Sequence, residues 1–125
     1  MVSNNFVLCQ IYNESTFDPE SESGAGAKGM MGVTRIVALQ VGSKMSEMGI
    51  PNNNMRAGTR IDDYFIDQNK GDIQRGIIQY SGGHGKPYYD HIKACECCLS
   101  KRDKDKAKGK NTASLYECLE EAKGH

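Results

Sequence analysis

Apolar positions recur along most of this chain at helical spacing. Phe6, Val7, Leu8, Ile11 and Tyr12 supply one side of a first helix over about residues 4–14, with Ser3 placed to cap it. Asp18–Lys28 is broken by Pro19, serines and glycines, and reads as a loop. Val33, Val37, Val41 and Met45 recur every four residues and Met48 follows, which predicts a second helix closed by Gly49 with Pro51 just beyond. Asn52-Asn53-Asn54 is the expected cap of a third helix, whose Ile61, Tyr64, Phe65 and Gln68 share a face. A fourth helix over about 72–80 buries Ile73, Ile77 and Tyr80, and Ser81–Gly85 is a glycine-rich loop. Pro87 opens a fifth helix, where its missing N–H costs nothing, with Tyr88, Ile92, Cys95 and Leu99 along one side. Ser114-Leu115-Tyr116-Glu117 is a capping box that starts a last short helix. Period-two alternation is absent, so the fold class expected is all-α in a single domain.

Composition narrows this only a little. The chain has 125 residues, 38% hydrophobic and 26% charged, which suits one globular domain. No apolar run approaches the roughly 18–20 residues of a membrane span. Phe6–Cys9 is too short for a secretory core and no basic residue precedes it, so no signal peptide is expected. Sixteen basic and sixteen acidic residues cancel, which gives no reason to expect a nucleic-acid partner. The one basic run, Lys101–Lys110, has six cations against two acids and reads as a solvated connector over 100–113. It divides a domain at 1–99 from a helical tail at 114–125 that packs back on the same domain.

Five cysteines leave one over from any set of pairs. Cys95, Cys97 and Cys98 cluster, Cys118 follows twenty residues later and Cys9 stands alone. The C-x-C-C spacing lacks the paired C-x₂-C of zinc sites, so no metal is expected. A bridge from the cluster to Cys118 would tie down the tail in an oxidising compartment, and buried free thiols are the alternative.

The chemistry begins at Glu14, three residues after Ile11 and seven after Val7. That spacing sets it at the end of the apolar stripe, where partial desolvation favours the neutral acid. A neutral acid can protonate a glycosidic oxygen. Position alone would favour the alternative, a surface glutamate at a helix end. The flanking residues add more. Glu14-Ser15-Thr16-Phe17-Asp18-Pro19 resembles the E-S-x-F-x-P motif of the SLT-type lytic transglycosylases, within the goose-type-lysozyme-like superfamily. Ser23 stands nine residues after the glutamate, as a serine of that family's active-site loop does. Gly26–Gly32 resembles G-A-x-G-L-M-Q, Asn54-Met55 with Gly58-Thr59 resembles N-I-x-x-G-T, and Gln79–Gly83 resembles A-Y-N-A-G. The four motifs keep their order over about residues 6–92.

The departures from the family pattern are local. Gly32 replaces the glutamine that closes G-L-M-Q, Ser81 replaces the asparagine of A-Y-N-A-G, and a later glutamate motif has no counterpart near Gly85–Tyr89. The resemblance implies a shortened, divergent member with a lysozyme-like all-α fold and no cofactor. It implies that Glu14 is the catalytic residue, cleaving the bond between N-acetylmuramic acid and N-acetylglucosamine with formation of a 1,6-anhydro product. Ser23, Met30, Met31, Tyr80 and Ser81 are the substrate-binding residues it suggests, with peptidoglycan glycan strands as partner. Chain size and the N-terminus resemble phage-encoded members. That adds tail or other virion proteins as partners, in a virion-associated protein or one made in the host cytoplasm that acts at the cell wall. A hydrolase of the same fold and a non-enzymatic virion module are the alternatives. Asp18 beside Pro19 is expected to form a turn, Asp62 and Asp63 to face solvent, and His84 to serve as loop polarity.

Overall fold

A computed structural model describes residues 1–123; Gly124 and His125 of the expected tail lie outside the described residues. It contains α1 (Asn4–Ser15), α2 (Arg35–Gln40), a 3₁₀ turn (Met45–Glu47), α3 (Pro51–Gln68), α4 (Ile73–Tyr80), α5 (Lys86–Ala107) and α6 (Leu115–Glu121). Among the described residues the only β pairing is two isolated bridges, Glu22 with Lys28 and Lys28 with Val33. They fold the long loop after α1 back on itself. No helix among these residues is long and apolar enough to cross a membrane.

The first helix is central because it is buried on two sides. Ser3 Oγ accepts from the Phe6 N–H at 3.0 Å and starts it. Thr16, with φ 51°, stops it by returning its N–H to the Tyr12 carbonyl. Phe6, Cys9 and Tyr12 enter one core with Ile66, Ile77, Tyr88, Ile92, Leu99 and Leu119. Ile11 enters the other with Met31, Val33, Ala38, Met48, Ala57 and Ile61. Glu14, at the end of α1, therefore lies where the two cores meet.

Two expected elements differ. The continuous helix from Val33 to Met48 is instead a six-residue helix, a turn and one turn of 3₁₀. Its stop signal is Gly42, not Gly49. Gly42, with φ 75°, donates to the Leu39 carbonyl, and Ser43 donates to the Ala38 carbonyl at 2.8 Å. This is a Schellman closure, which a glycine permits because it carries no Cβ. The closure separates Val41 from Met45 in the period-four series, and Ile36 and Leu39 face solvent. The asparagine triplet does not cap α3 either. Ile50 is its N-cap, Pro51 opens it, and Asn54 lies inside and fully buried.

The charged run is a helix for most of its length. The fifth helix continues to Ala107, with Lys101 and Asp105 paired at 3.3 Å one turn apart, and the connector begins only at Lys108. The last helix is capped by Ser114 Oγ as expected, and Cys118, Leu119 and Ala122 are buried in the first core.

Two disulfides join these parts. Cys98–Cys118 ties α5 to α6, and Cys9–Cys95 ties α1 to α5, so Cys9 does not stand alone. Cys97 is a free, exposed thiol. The first and fifth helices run antiparallel, since Asn5 reaches Asp103 at 3.2 Å while Glu14 reaches Tyr88 at 2.7 Å. The Cys9–Cys95 bridge closes a span of 86 residues and fixes the pair of helices on which Glu14 and Tyr88 stand.

Replacing Cys118 with Ser should lower stability by ~3 kcal/mol, the entropy returned to the unfolded chain by opening a loop of this length. Thermal denaturation should show a drop of roughly 10 °C. Reductant added to the unmutated protein should lower the transition at least as far.

Candidate active site

Glu14 and Tyr88 meet across the α1–α5 contact. The Tyr88 hydroxyl donates to Glu14 Oε2 at 2.7 Å. Burial pushes the Glu14 carboxyl up from 4.5 to about 7, against the Tyr88 hydrogen bond, which lowers it. Burial also pushes the phenols of Tyr88 and Tyr80 well above 10, so both remain neutral donors. Their rings stack, with centroids 6.5 Å apart. A cleft of about 400 Å³ opens beside Glu14, with Asn13, His84, Pro87, Tyr88, His91 and Lys123 on its walls. Asn13 donates to the Ala122 carbonyl at 2.6 Å, so the end of α6 forms part of the rim.

The other flank of Glu14 is made by backbone. Gly32 has φ 61°, and a Cβ built on it would lie 2.7 Å from Glu14 Oε1. The carboxyl thus occupies space that a side chain at position 32 would enter, which gives the loss of the family glutamine a geometric counterpart. Gly32, Val33, Val37, Phe65 and Tyr80 line a smaller depression of about 40 Å³.

The loop carrying Gly32 is pinned by two buried polar groups. Ser15 Oγ donates to the Met30 carbonyl at 2.8 Å. Asn54 accepts from the Met31 N–H at 2.8 Å and donates to the carbonyls of Lys28 and Met48 at 2.8 and 2.9 Å. An amide buried with these three bonds carries no desolvation debt there.

The expected binding residues separate into two groups. Tyr80 is near the site, but its hydroxyl donates to the Met31 carbonyl at 2.5 Å rather than to Glu14. Met31 is fully buried, its side chain packed against Gly58, while Met30 is half-buried. Ser23 and Ser81 stay within their own loops: Ser23 Oγ accepts from the Ala27 N–H, and Ser81 Oγ bonds to the Ile78 carbonyl and the Gly85 N–H. Neither lies on the cleft walls described above.

Sequence reasoning missed several partners. Tyr88 looked like one more apolar position of the α5 stripe. His84 and His91 line the cleft, where His84 was expected to be loop polarity only. Asp62 is the largest correction: it is fully buried rather than solvated, and burial first, with the charges of Asp63 and Glu14 adding, pushes it up to about 7. The stripe Asn54, Gly58, Asp62, Ile66 at four-residue spacing carried that signal.

The model of the family described as Transglycosylase SLT domain matches residues 1–90. No curated protein matches the chain. Among solved structures it is similar to the 70 kDa soluble lytic transglycosylase of Escherichia coli, at 18% identity and a TM-score of 0.59. That match takes in 74% of this chain and only 16% of the E. coli protein. The chain belongs to the SLT family of lytic transglycosylases and has their all-α, lysozyme-like fold.

The raised Glu14 pKa has a cost in stability whose sign is fixed. Between 4.5 and about 7 the folded protein keeps a proton that the unfolded chain has lost, so stability falls as pH rises through that window. Glutamine at position 14 removes this loss. Chemical denaturation should find Glu14→Gln more stable than the unmutated protein by about 3 kcal/mol above the window, with the gain vanishing below it.

Proposed function

We propose that this protein cleaves peptidoglycan glycan strands at the β-1,4 bond between N-acetylmuramic acid and N-acetylglucosamine. Glu14, neutral up to about 7, donates its proton to the glycosidic oxygen as the bond to the muramoyl C1 breaks. The carboxylate left behind takes the proton of the muramoyl C6 hydroxyl, whose oxygen closes on C1 to give the 1,6-anhydro sugar. No water is consumed, and Glu14 ends protonated as it began. Between the two steps the Tyr88 hydroxyl, 2.7 Å from Oε2, stabilises the carboxylate.

The observation that carries this reading is that Glu14 is the one carboxylate among the described residues lining the cleft. Most glycosidases flank the bond with two, one of which activates water or attacks the sugar. A single desolvated acid supports the intramolecular route, which needs one group for both proton transfers.

The disulfides support action outside a reducing cytoplasm, on the wall side of the membrane. Delivery there by a phage particle, with tail or other virion proteins as partners, is the finer reading we propose from the resemblance to phage-encoded members. Mass spectrometry of purified virions for this chain tests it.

Cleavage of purified sacculi should fall as pH rises through about 7, because the acting species is the protonated glutamate. Glu14→Gln should still fold and sediment with sacculi while releasing muropeptides roughly 10²–10⁴-fold more slowly. A variant that cleaves at the original rate would remove Glu14 from the mechanism.

A further inference from the structure

The proposed reaction leaves one buried acid unused. Asp62, on α3, has no exposed surface. Its Oδ1 accepts from Gln10 Nε2 at 2.8 Å, and its Oδ2 has no hydrogen-bond partner. Gln10, on α1, is equally buried. Its Nε2 also donates to the Tyr88 hydroxyl oxygen at 3.3 Å, and its Oε1 has no partner. Asp62, Gln10, Tyr88 and Glu14 are thus joined by three successive hydrogen bonds, away from the cleft at one end and on its wall at the other.

The direction of the middle bond decides the last one. With Nε2 facing inward, Gln10 donates to both neighbours, and the single proton of Tyr88 is left for Glu14. Were the amide turned over, Oε1 would compete for that proton and would face the Asp62 carboxylate with no donor between them. An ionised Asp62 disfavours this second arrangement. Two buried polar atoms without partners are costly, and an apolar residue at position 62 would have avoided one of them. Their retention at the far end of a chain that terminates on Glu14 has a use if Asp62 acts on Glu14.

We propose, resting on the role given to Glu14 above, that Asp62 is a positioning residue for it. Through Gln10 it commits the Tyr88 hydroxyl to Glu14, and along the same chain its own proton is coupled to that of Glu14. The other titratable or charged groups facing this chain are Asp63 on α3, Tyr80 on α4 and, on the cleft side, His84, His91 and Lys123. The phenols stay neutral, so the exchange is between the two carboxyls. The charge on whichever ionises first raises the other, and the pair loses its protons in two linked steps. Ionised Asp62 thereby keeps Glu14 protonated to a higher pH than burial alone would.

The test is a pH titration of the Glu14 side-chain carboxyl by ¹³C NMR on the full chain, the signal being assigned by its loss in Glu14→Gln. The unmutated protein should show two inflections across the neutral range, one for each of the two linked ionisations. Asparagine at 62 keeps the acceptor for Gln10 but removes the charge. Asp62→Asn should therefore give one inflection, with its midpoint lower by roughly half a pH unit or more. The alkaline limb of sacculus cleavage should move the same way, in kcat and not in KM. A single inflection in the unmutated protein, or an unchanged or raised midpoint in Asp62→Asn, overturns the proposal. The unmutated titration alone decides it should the variant fail to fold. Two inflections in a protein that does not cut sacculi would support the coupling and refute the transglycosylase reading instead.

Discussion

Taking a carboxyl group out of water costs free energy unless it stays neutral or finds a donor, and Glu14 does both. That constraint organises the neighbourhood. The carboxyl is desolvated because α1 is packed on two sides, and α1 is packed on two sides because its Phe6, Cys9 and Tyr12 serve one core while Ile11 serves the other. The donor comes from α5, whose antiparallel pairing with α1 is locked by Cys9–Cys95. A helix pair that could slide by one turn would move the partners by about 5 Å and break the bond. The disulfide thus bears on chemistry as well as stability.

The opposite flank depends on small residues and buried amides. Asn54 and Ser15 spend their hydrogen bonds on loop carbonyls and the Met31 N–H, which sets the height of the loop above Glu14. Gly58 lets the Met31 side chain lie flat against α3, and Gly32 leaves room for the Glu14 carboxyl. Ser15, Asn54 and Gly58 stand in the motifs that carry the family resemblance, whereas Gly32 departs from them. Gly32 and Gly58 sit where a Cβ would displace the acid or the Met31 side chain, and Asn54 where an unpaired amide would release the loop.

Local signals were the legible ones. Ser3 and Ser114 accept hydrogen bonds from their own helices, as their positions suggest. The motif order gave the family and the fold, since it ties together segments that only tertiary structure unites. Periodicity misled where a closure interrupts it: Val33, Val37, Val41 and Met45 look continuous, but the helix starts after Val33 and the Gly42 closure separates Val41 from Met45. The Lys101–Lys110 run looked like linker because its charges are many, yet alternating signs one turn apart also stabilise a solvated helix, and α5 uses them so. The polar chain behind Glu14 was the hardest to read. Gln10, Asp62 and Tyr88 come from three helices, and nothing local to any of them reveals that the other two are its partners.

The central claim is that one buried acid moves two protons with no water between them. Weighing the muropeptides released from purified sacculi tests it directly. The account predicts products ending in 1,6-anhydromuramic acid, each lighter by one water than the corresponding hydrolysis product. Fragments carrying a free reducing muramic acid would contradict it and would make water, rather than the C6 hydroxyl, the group that Glu14 activates.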